Sequence, residues 1–272
     1  PLCTSRKRGL ASRASRRMCP RSDAILKFLA ASLVLVAELL HADTLHLRAD
    51  HWYPFNATPG DARPGFAIEV LEQIFQAHDI ALDYQLTSWS RALEQAYGGE
   101  ADCVVGAYRD EAPGLLFPRQ HFAVDVPTFY VLAEDPWQYR DEASLAGKLV
   151  GVIADYSYGA VFDAWMQAHP QQVNVASGDR PLLNNVRMLL AGRVDVLVET
   201  PAVMSALMAE QGLAEAVREA GKIGNGEGRL YMACTNSPRG QLFVERFDAG
   251  WERLQSSGVL AGIYARYGVP LP

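Results

Sequence analysis

Phe122-Ala123-Val124-Asp125-Val126-Pro127-Thr128-Phe129-Tyr130-Val131-Leu132-Ala133 is the stretch on which the reading of this chain turns. It is rich in Val, Phe and Tyr and reads as extended, until Asp135-Pro136 breaks it. Ahead of it, strand and helix signals alternate. A strand is expected over 44–49 and an amphipathic helix over 65–77, where Phe66, Val70, Ile74 and Phe75 recur at helical spacing. A strand over 81–86 follows, then a short helix over 89–97 ended by Gly98-Gly99, then a strand over 103–107. Behind the stretch the alternation restarts, with strands over 149–153, 173–176 and 194–198 and helices over 159–168, 182–191 and 202–210. A second extended run at 229–235 and two helices, over 241–255 and 259–267, close the chain. Gly99-Glu100-Ala101-Asp102 and Gly192-Arg193-Val194-Asp195 sit ahead of corresponding strands in the two halves. Two α/β units joined by two extended segments predict two lobes with a double crossover. Strand C-termini and helix N-termini then point into a cleft, the natural ligand site, and the extended runs serve as its hinge. Alternation alone also allows two independent α/β domains.

The composition is globular: 49 % of the 272 residues are hydrophobic, which excludes a disordered tail, a collagen or a coiled coil. No apolar run reaches the roughly 18–20 residues of a membrane-spanning helix, so a polytopic membrane protein is excluded. Charge is unevenly placed. Arg6, Lys7, Arg8, Arg13, Arg16, Arg17, Arg21 and Lys27 face only Asp23 and Glu38 over residues 1–42. The net charge of the whole chain is −6, so the remainder is strongly acidic and ill suited to nucleic acid. Basic residues, an apolar stretch over 28–37 and Leu40-His41-Ala42 follow the order of a secretory signal peptide, with Met18 as a candidate start. An amphipathic or mitochondrial leader is the alternative. Cys3 and Cys19 lie in this leader, and no Cys follows it at lipobox spacing. Cys103 and Cys234 remain, as a bridge or as buried thiols.

Several chemistries are missing. The six histidines are scattered without metal-ligand spacing, so no metal is expected. There is no nucleophile elbow and no phosphate-binding lysine loop. Gly224-Asn225-Gly226-Glu227-Gly228 lacks the strand a dinucleotide site needs and reads as a turn.

The chain resembles the solute-binding proteins of family 3, the periplasmic components of polar amino acid ABC transporters. The resemblance runs over roughly residues 44–268. It is carried by Asp50-His51-Trp52-Tyr53-Pro54-Phe55, Gly65-Phe66-Ala67-Ile68-Glu69-Val70, Trp89-Ser90-Arg91-Ala92-Leu93 and Gly99-Glu100-Ala101-Asp102. Later pieces are Ser144-Leu145-Ala146-Gly147-Lys148-Leu149-Val150-Gly151-Val152, Gly192-Arg193-Val194-Asp195 and Gly262-Ile263-Tyr264-Ala265-Arg266-Tyr267-Gly268. It implies a two-lobed periplasmic-binding-protein-like fold of type II, each lobe a mostly parallel sheet flanked by helices. The expected division is a leader over 1–42, lobe 1 over 43–130, lobe 2 over 131–228 and a return to lobe 1 over 229–272.

The resemblance also points to site residues. Trp52 stands where the family places an aromatic over the ligand, or else packs under Pro54. Trp89 and Arg91 open a helix at the cleft, where Arg91 either grips a carboxylate or pairs with Glu94. Tyr108 and Arg109 follow the third strand; the family's usual carboxylate-binding Arg falls near Ala112-Pro113, and Arg109 is expected to take over that clamp. Tyr156, Ser157 and Tyr158 precede a helix whose N-terminus would receive an anion, with Ser157 as ligand group, cap or both. Thr200 replaces the family's ammonium-binding Asp, and Glu199, one residue earlier, should face away on a regular strand. Both halves of an amino acid clamp are therefore altered, favouring a carboxylate, an aromatic acid or a modified amino acid over an ordinary α-amino acid.

The function so implied is that of a monomeric, non-catalytic periplasmic binding protein. It closes on a small polar ligand without a cofactor and hands it to a membrane permease. Two alternatives are a cyclohexadienyl-dehydratase-like enzyme with Glu199 as general acid, and a module presenting ligand to a sensor.

Overall fold

The computed structural model describes residues 43–223 and 228–272. The expected leader and the Gly-rich turn at 224–227 lie outside the described residues. The first half builds β1 (Asp43–Ala49), α1 (Phe66–Gln76), β2 (Ile80–Leu86), α2 (Trp89–Gly98), β3 (Cys103–Ala107) and β4 (Ala123–Asp125). The second builds β5 (Thr128–Leu132), β6 (Val150–Ile153), α3 (Ala160–Ala168), β7 (Val173–Ala176), α4 (Pro181–Leu190), β8 (Val196–Glu199), α5 (Pro201–Glu210) and β9 (Val217–Lys222). The chain ends in β10 (Gly228–Cys234), α6 (Pro238–Ser256) and α7 (Val259–Tyr267).

Two five-stranded sheets result, in the orders β2-β1-β3-β10-β4 and β7-β6-β8-β5-β9. The expected extended run at 122–133 is split. Its first part pairs with β10 in one sheet, its second with β8 and β9 in the other, and the chain changes sheet at Val126-Pro127. The return passes between Lys222 of β9 and Gly228 of β10. Both sheets are mixed rather than mostly parallel. β2-β1-β3 and β7-β6-β8 are parallel, as βαβ units require, whereas β10, β4, β5 and β9 add antiparallel. The strand β9 was not expected. Val217-Arg218-Glu219-Ala220-Gly221-Lys222 has three charged residues and a Gly, and it forms only because β5 offers it an edge.

α1 buries Phe66, Ile68, Val70, Leu71, Ile74 and Phe75 against the first sheet, and α6 returns to cover it. That packing is close: a Cβ on Gly250 of α6 would stand 2.5 Å from Ile74 of α1. Gly65 sits at φ 107, and a Cβ there would collide with the Phe55 carbonyl, so the entry to α1 needs glycine. Arg239 of α6 donates to Asp43 Oδ1 at 2.6 Å and Asp102 Oδ1 at 2.7 Å, tying the returning helix to the N-terminal ends of the adjacent strands β1 and β3.

Cys103 of β3 and Cys234 of β10 are a register pair of the first sheet and form a disulfide. It joins residues 131 apart in sequence and fastens the strand that re-enters the first lobe. Among the described residues no helix is long and apolar enough to cross a membrane. Replacing both cysteines by Ala should lower the unfolding free energy by about 2–5 kcal/mol. Urea titration of the two proteins checks this; superimposable midpoints would show that the bridge contributes nothing.

Candidate functional site

Strand ends and helix starts of both lobes meet in a chamber lined by Asp50, Trp52, Trp89, Tyr108, Glu111, Tyr156, Ser157, Tyr158, Glu199 and Thr200. Val105, Gly106 and Pro127 complete its wall, and it encloses about 420 Å³ including its mouth. A second chamber of about 460 Å³ shares Trp52, Tyr156 and Glu199 with the first and is otherwise lined by His51, Arg180, Leu182, Val203, Glu210 and their neighbours. Trp52, Tyr156 and Glu199 therefore stand as the partition between them.

Trp52 is held by a tight turn after β1. Its N–H donates to the Asn56 carbonyl at 2.9 Å and its ring stacks on Phe55 at 4.2 Å. Its indole Nε1 crosses the cleft and donates to Glu199 Oε1 at 3.1 Å. Tyr156 reaches from the second lobe and donates to Asp50 of the first. Ser157 N donates to Glu111 Oε1 at 3.3 Å, and Ser90 at the start of α2 donates to Asp155. Thr200 donates through Oγ1 to Asp125 Oδ2 at 2.8 Å, the same oxygen that accepts from the Tyr108 hydroxyl at 2.9 Å. The two lobes thus meet through a seam of hydrogen bonds in which carboxylates are the acceptors.

The seam shifts its acids. Burial pushes Glu199 up to about 8, opposed by the hydrogen bonds from Thr200 N and Trp52. Burial likewise raises Glu111 to about 7 against three donors, Trp89, Tyr108 N and Ser157 N, and Asp50 to about 6 against the Tyr156 hydroxyl. Asp125 is raised too, by burial. Desolvation and the neighbouring acids also push the phenols of Tyr108, Tyr156 and Tyr158 upward. Glu199 is 1 % exposed and its Oε2 has no hydrogen-bond partner. Among the described residues no cluster of three or more His, Cys, Asp or Glu could hold a metal.

Of the residues singled out from sequence, Trp52, Trp89, Tyr108, Tyr156, Ser157, Tyr158 and Thr200 share the first chamber. The two arginines do not line it. Arg109 does not form the expected clamp: its guanidinium donates to the Pro118 carbonyl at 2.7 Å and packs over the rings of Tyr231 and Phe117 at 4.4 and 5.1 Å. Arg91 lies on the solvent side of α2, paired with Glu94 at 2.9 Å and Glu100 at 3.8 Å. The anion site expected ahead of α3 is filled by the chain itself. Tyr158 N and Ser157 Oγ donate to Asp163 at 2.9 and 2.6 Å, while Ser157 N serves Glu111. Glu199, expected to face away, lines both chambers, because β8 ends at this residue and the turn into α5 breaks the strand alternation. Asp50, Glu111 and Asp125 were not weighed as site residues. Asp50 was visible in the motif before Trp52; the others carried no local signal.

No family model matches the chain, and no curated protein does. Solved structures do. A histidine kinase sensor domain described as similar to periplasmic binding proteins aligns with TM-score 0.71 and 17 % identity, covering 84 % of this chain and 98 % of its own. The structure described for glutathione import via GshT and the cystine ABC importer TcyBC of Streptococcus mutans aligns with TM-score 0.73 and 17 % identity, over 85 % and 98 %. An ancestral arginine-binding protein bound to arginine aligns with TM-score 0.67 and 19 % identity, over 84 % and 99 %. These likenesses establish the periplasmic-binding-protein-like fold.

Glu199, pushed up to about 8 by burial, makes stability depend on pH in a definite direction. The folded chain holds this proton more tightly than the unfolded chain, so the acid's favourable contribution is complete below its ordinary value of about 4.5 and is lost as pH rises towards about 8. The stability of Glu199→Gln relative to the parent should therefore grow between about pH 5 and pH 8. Urea denaturation at both ends of that range reads the difference; a constant offset would mean Glu199 titrates normally.

Proposed function

We propose that this chain is an exported solute-binding protein whose two lobes close on a small polar ligand at the Trp52–Glu199 boundary. The observation that carries the reading is the chamber itself: it is built from both lobes, borders the crossing at Val126-Pro127, and is sealed by side chains that reach across. Ligand contacts to both lobes would favour the closed arrangement over the open one, with the crossing at Val126-Pro127 as the hinge. The fold neighbours include proteins described as ABC importer components or amino acid binders, which agrees with delivery to a membrane permease. The signal-peptide order of residues 1–42 and the Cys103–Cys234 bridge both suit the periplasm.

One observation favours a second reading. A fully buried carboxyl raised to about 8 in a cleft is a fit general acid, so an enzyme on this scaffold would use Glu199 to protonate a leaving group. Incubation with prephenate or arogenate followed by product analysis separates the two: turnover removes the binding-protein reading, and none removes the dehydratase.

The mouth gives a direct test of closure. Ser90 and Asp155 face one another across it. In the Ser90→Cys, Asp155→Cys protein, oxidation should lock the lobes and abolish ligand uptake. Brief reduction should restore it, since the native Cys103 and Cys234 are wholly buried. Thermal shift against amino acids, amines and carboxylates supplies the readout, because a ligand at 100 times its dissociation constant adds about 2.7 kcal/mol. Uptake unaffected by the lock would end the hinge-closure reading.

A further inference from the structure

Taking the cleft as a solute-binding site, we infer that it is built for an organic cation that carries no carboxylate: an amine, guanidine or quaternary ammonium compound seated on Glu199 among the aromatic rings of the first chamber. The lining of that chamber among the described residues includes Asp50, Glu111 and Glu199 and contains no Lys, Arg or His. Glu199 is the focus. It is 1 % exposed, it lines the chamber, and its Oε2 has no partner. A buried carboxylate oxygen without a donor is costly, and an incoming N–H or cationic head removes that cost. Trp52, Trp89, Tyr108, Tyr156 and Tyr158 line the same chamber, and aromatic rings are side chains that attract cations.

The places that would receive a ligand carboxylate are already used. Arg109 is bound to Pro118 O and stacked on Tyr231. The N–H groups and hydroxyl ahead of α3 serve Asp163 and Glu111. Beyond the partition, Arg180 is held by both oxygens of Glu210 at 3.1 and 3.0 Å. A free carboxylate in the first chamber would meet three buried acids and no cationic side chain, whereas a cation pairs with one of those acids.

The groups facing Glu199 predict how binding follows pH. From the first lobe these are Asp50, Tyr108, Glu111 and Asp125, with His51 on the far side of Trp52; from the second they are Tyr130, Tyr156, Tyr158, Arg180 and Glu210. Burial above all, with Asp125 and Asp50 adding to it, strengthens the hold of Glu199 on its proton, and the one guanidinium is taken by Glu210, so a cationic ligand favours release of that proton. Cation affinity should rise with pH between about 6 and 8, and the affinity of an anion using protonated carboxyls as donors should fall.

Matched ligands that differ only by the α-carboxylate decide the matter. Calorimetry on the protein would compare agmatine with arginine, cadaverine with lysine and histamine with histidine, with choline added. In at least one pair the decarboxylated member should bind about 30-fold or more tightly than its parent, a gap of roughly 2 kcal/mol. Its affinity should increase from about pH 6 to pH 8 with release of a proton to the buffer. Glu199→Gln, confirmed as folded by circular dichroism, should lose about 30-fold or more in affinity. Arg109→Gln, outside the chamber, should lose none. An amino acid binding as tightly as its amine, binding that weakens with pH, or loss in Arg109→Gln overturns the assignment. If such an amino acid also closes the lobes by small-angle scattering, the binding-protein reading stands and only the ligand class falls. If no cation binds at millimolar concentration and no solute closes the lobes, both fall.

Discussion

The carboxyl of Glu199, withdrawn from water at the seam between the lobes, is the constraint around which the site is arranged. An ionised carboxylate in such a place is expensive unless donors surround it, and this one has two on a single oxygen, Thr200 N and the indole of Trp52. The first donor is its own neighbour. The second belongs to the other lobe, so the group is fully hydrogen-bonded on that oxygen only when the lobes meet. Local acidity and global closure are coupled through one bond. The partition formed with Tyr156 follows from the same geometry, because whatever seats Trp52 against Glu199 also separates the two chambers.

The rest of the molecule keeps those groups in register. The first lobe is fastened where the chain leaves and re-enters it: by the Cys103–Cys234 bridge, by Arg239 on Asp43 and Asp102, and by α6 lying close on α1. With the frame fixed, the segments that carry the site can be short. Trp52, Glu111 and Tyr156 all follow the C-terminal ends of parallel strands, β1, β3 and β6, where chain direction changes and side chains are free to face the cleft. The fold is shared with proteins described as an amino acid binder and as a kinase sensor domain, at 17 to 19 % identity. At that distance the scaffold carries no ligand identity, and the chemistry of the cleft has to be read from its own side chains.

Much of the architecture was legible from periodicity. The spacing of Phe66, Val70, Ile74 and Phe75, the Gly98-Gly99 stop and the apolar run over 103–107 each report on a face buried by its own element, and those elements formed within a residue or two of expectation. β9 escaped because its residues bury little; its pairing is a gift of β5. The run over 122–133 read as one extended piece because its composition is uniform, whereas the change of sheet at Val126-Pro127 answers to partners distant in sequence.

The sequence by itself determined the alternating α/β units and the double crossover, since these follow from local pattern, while Trp52 was pointed to by the family resemblance rather than by any local pattern. Only the tertiary structure decided the charge of the site. Arg109 and Glu199 both stand where a strand ends, and nothing local tells which turns inward. Arg109 is drawn off by the Pro118 carbonyl and the Tyr231 ring, while Glu199 is drawn in by Trp52 from 147 residues away. A side chain at or beyond the end of its strand takes its direction from whichever partner the folded chain brings near, and that partner is set by topology.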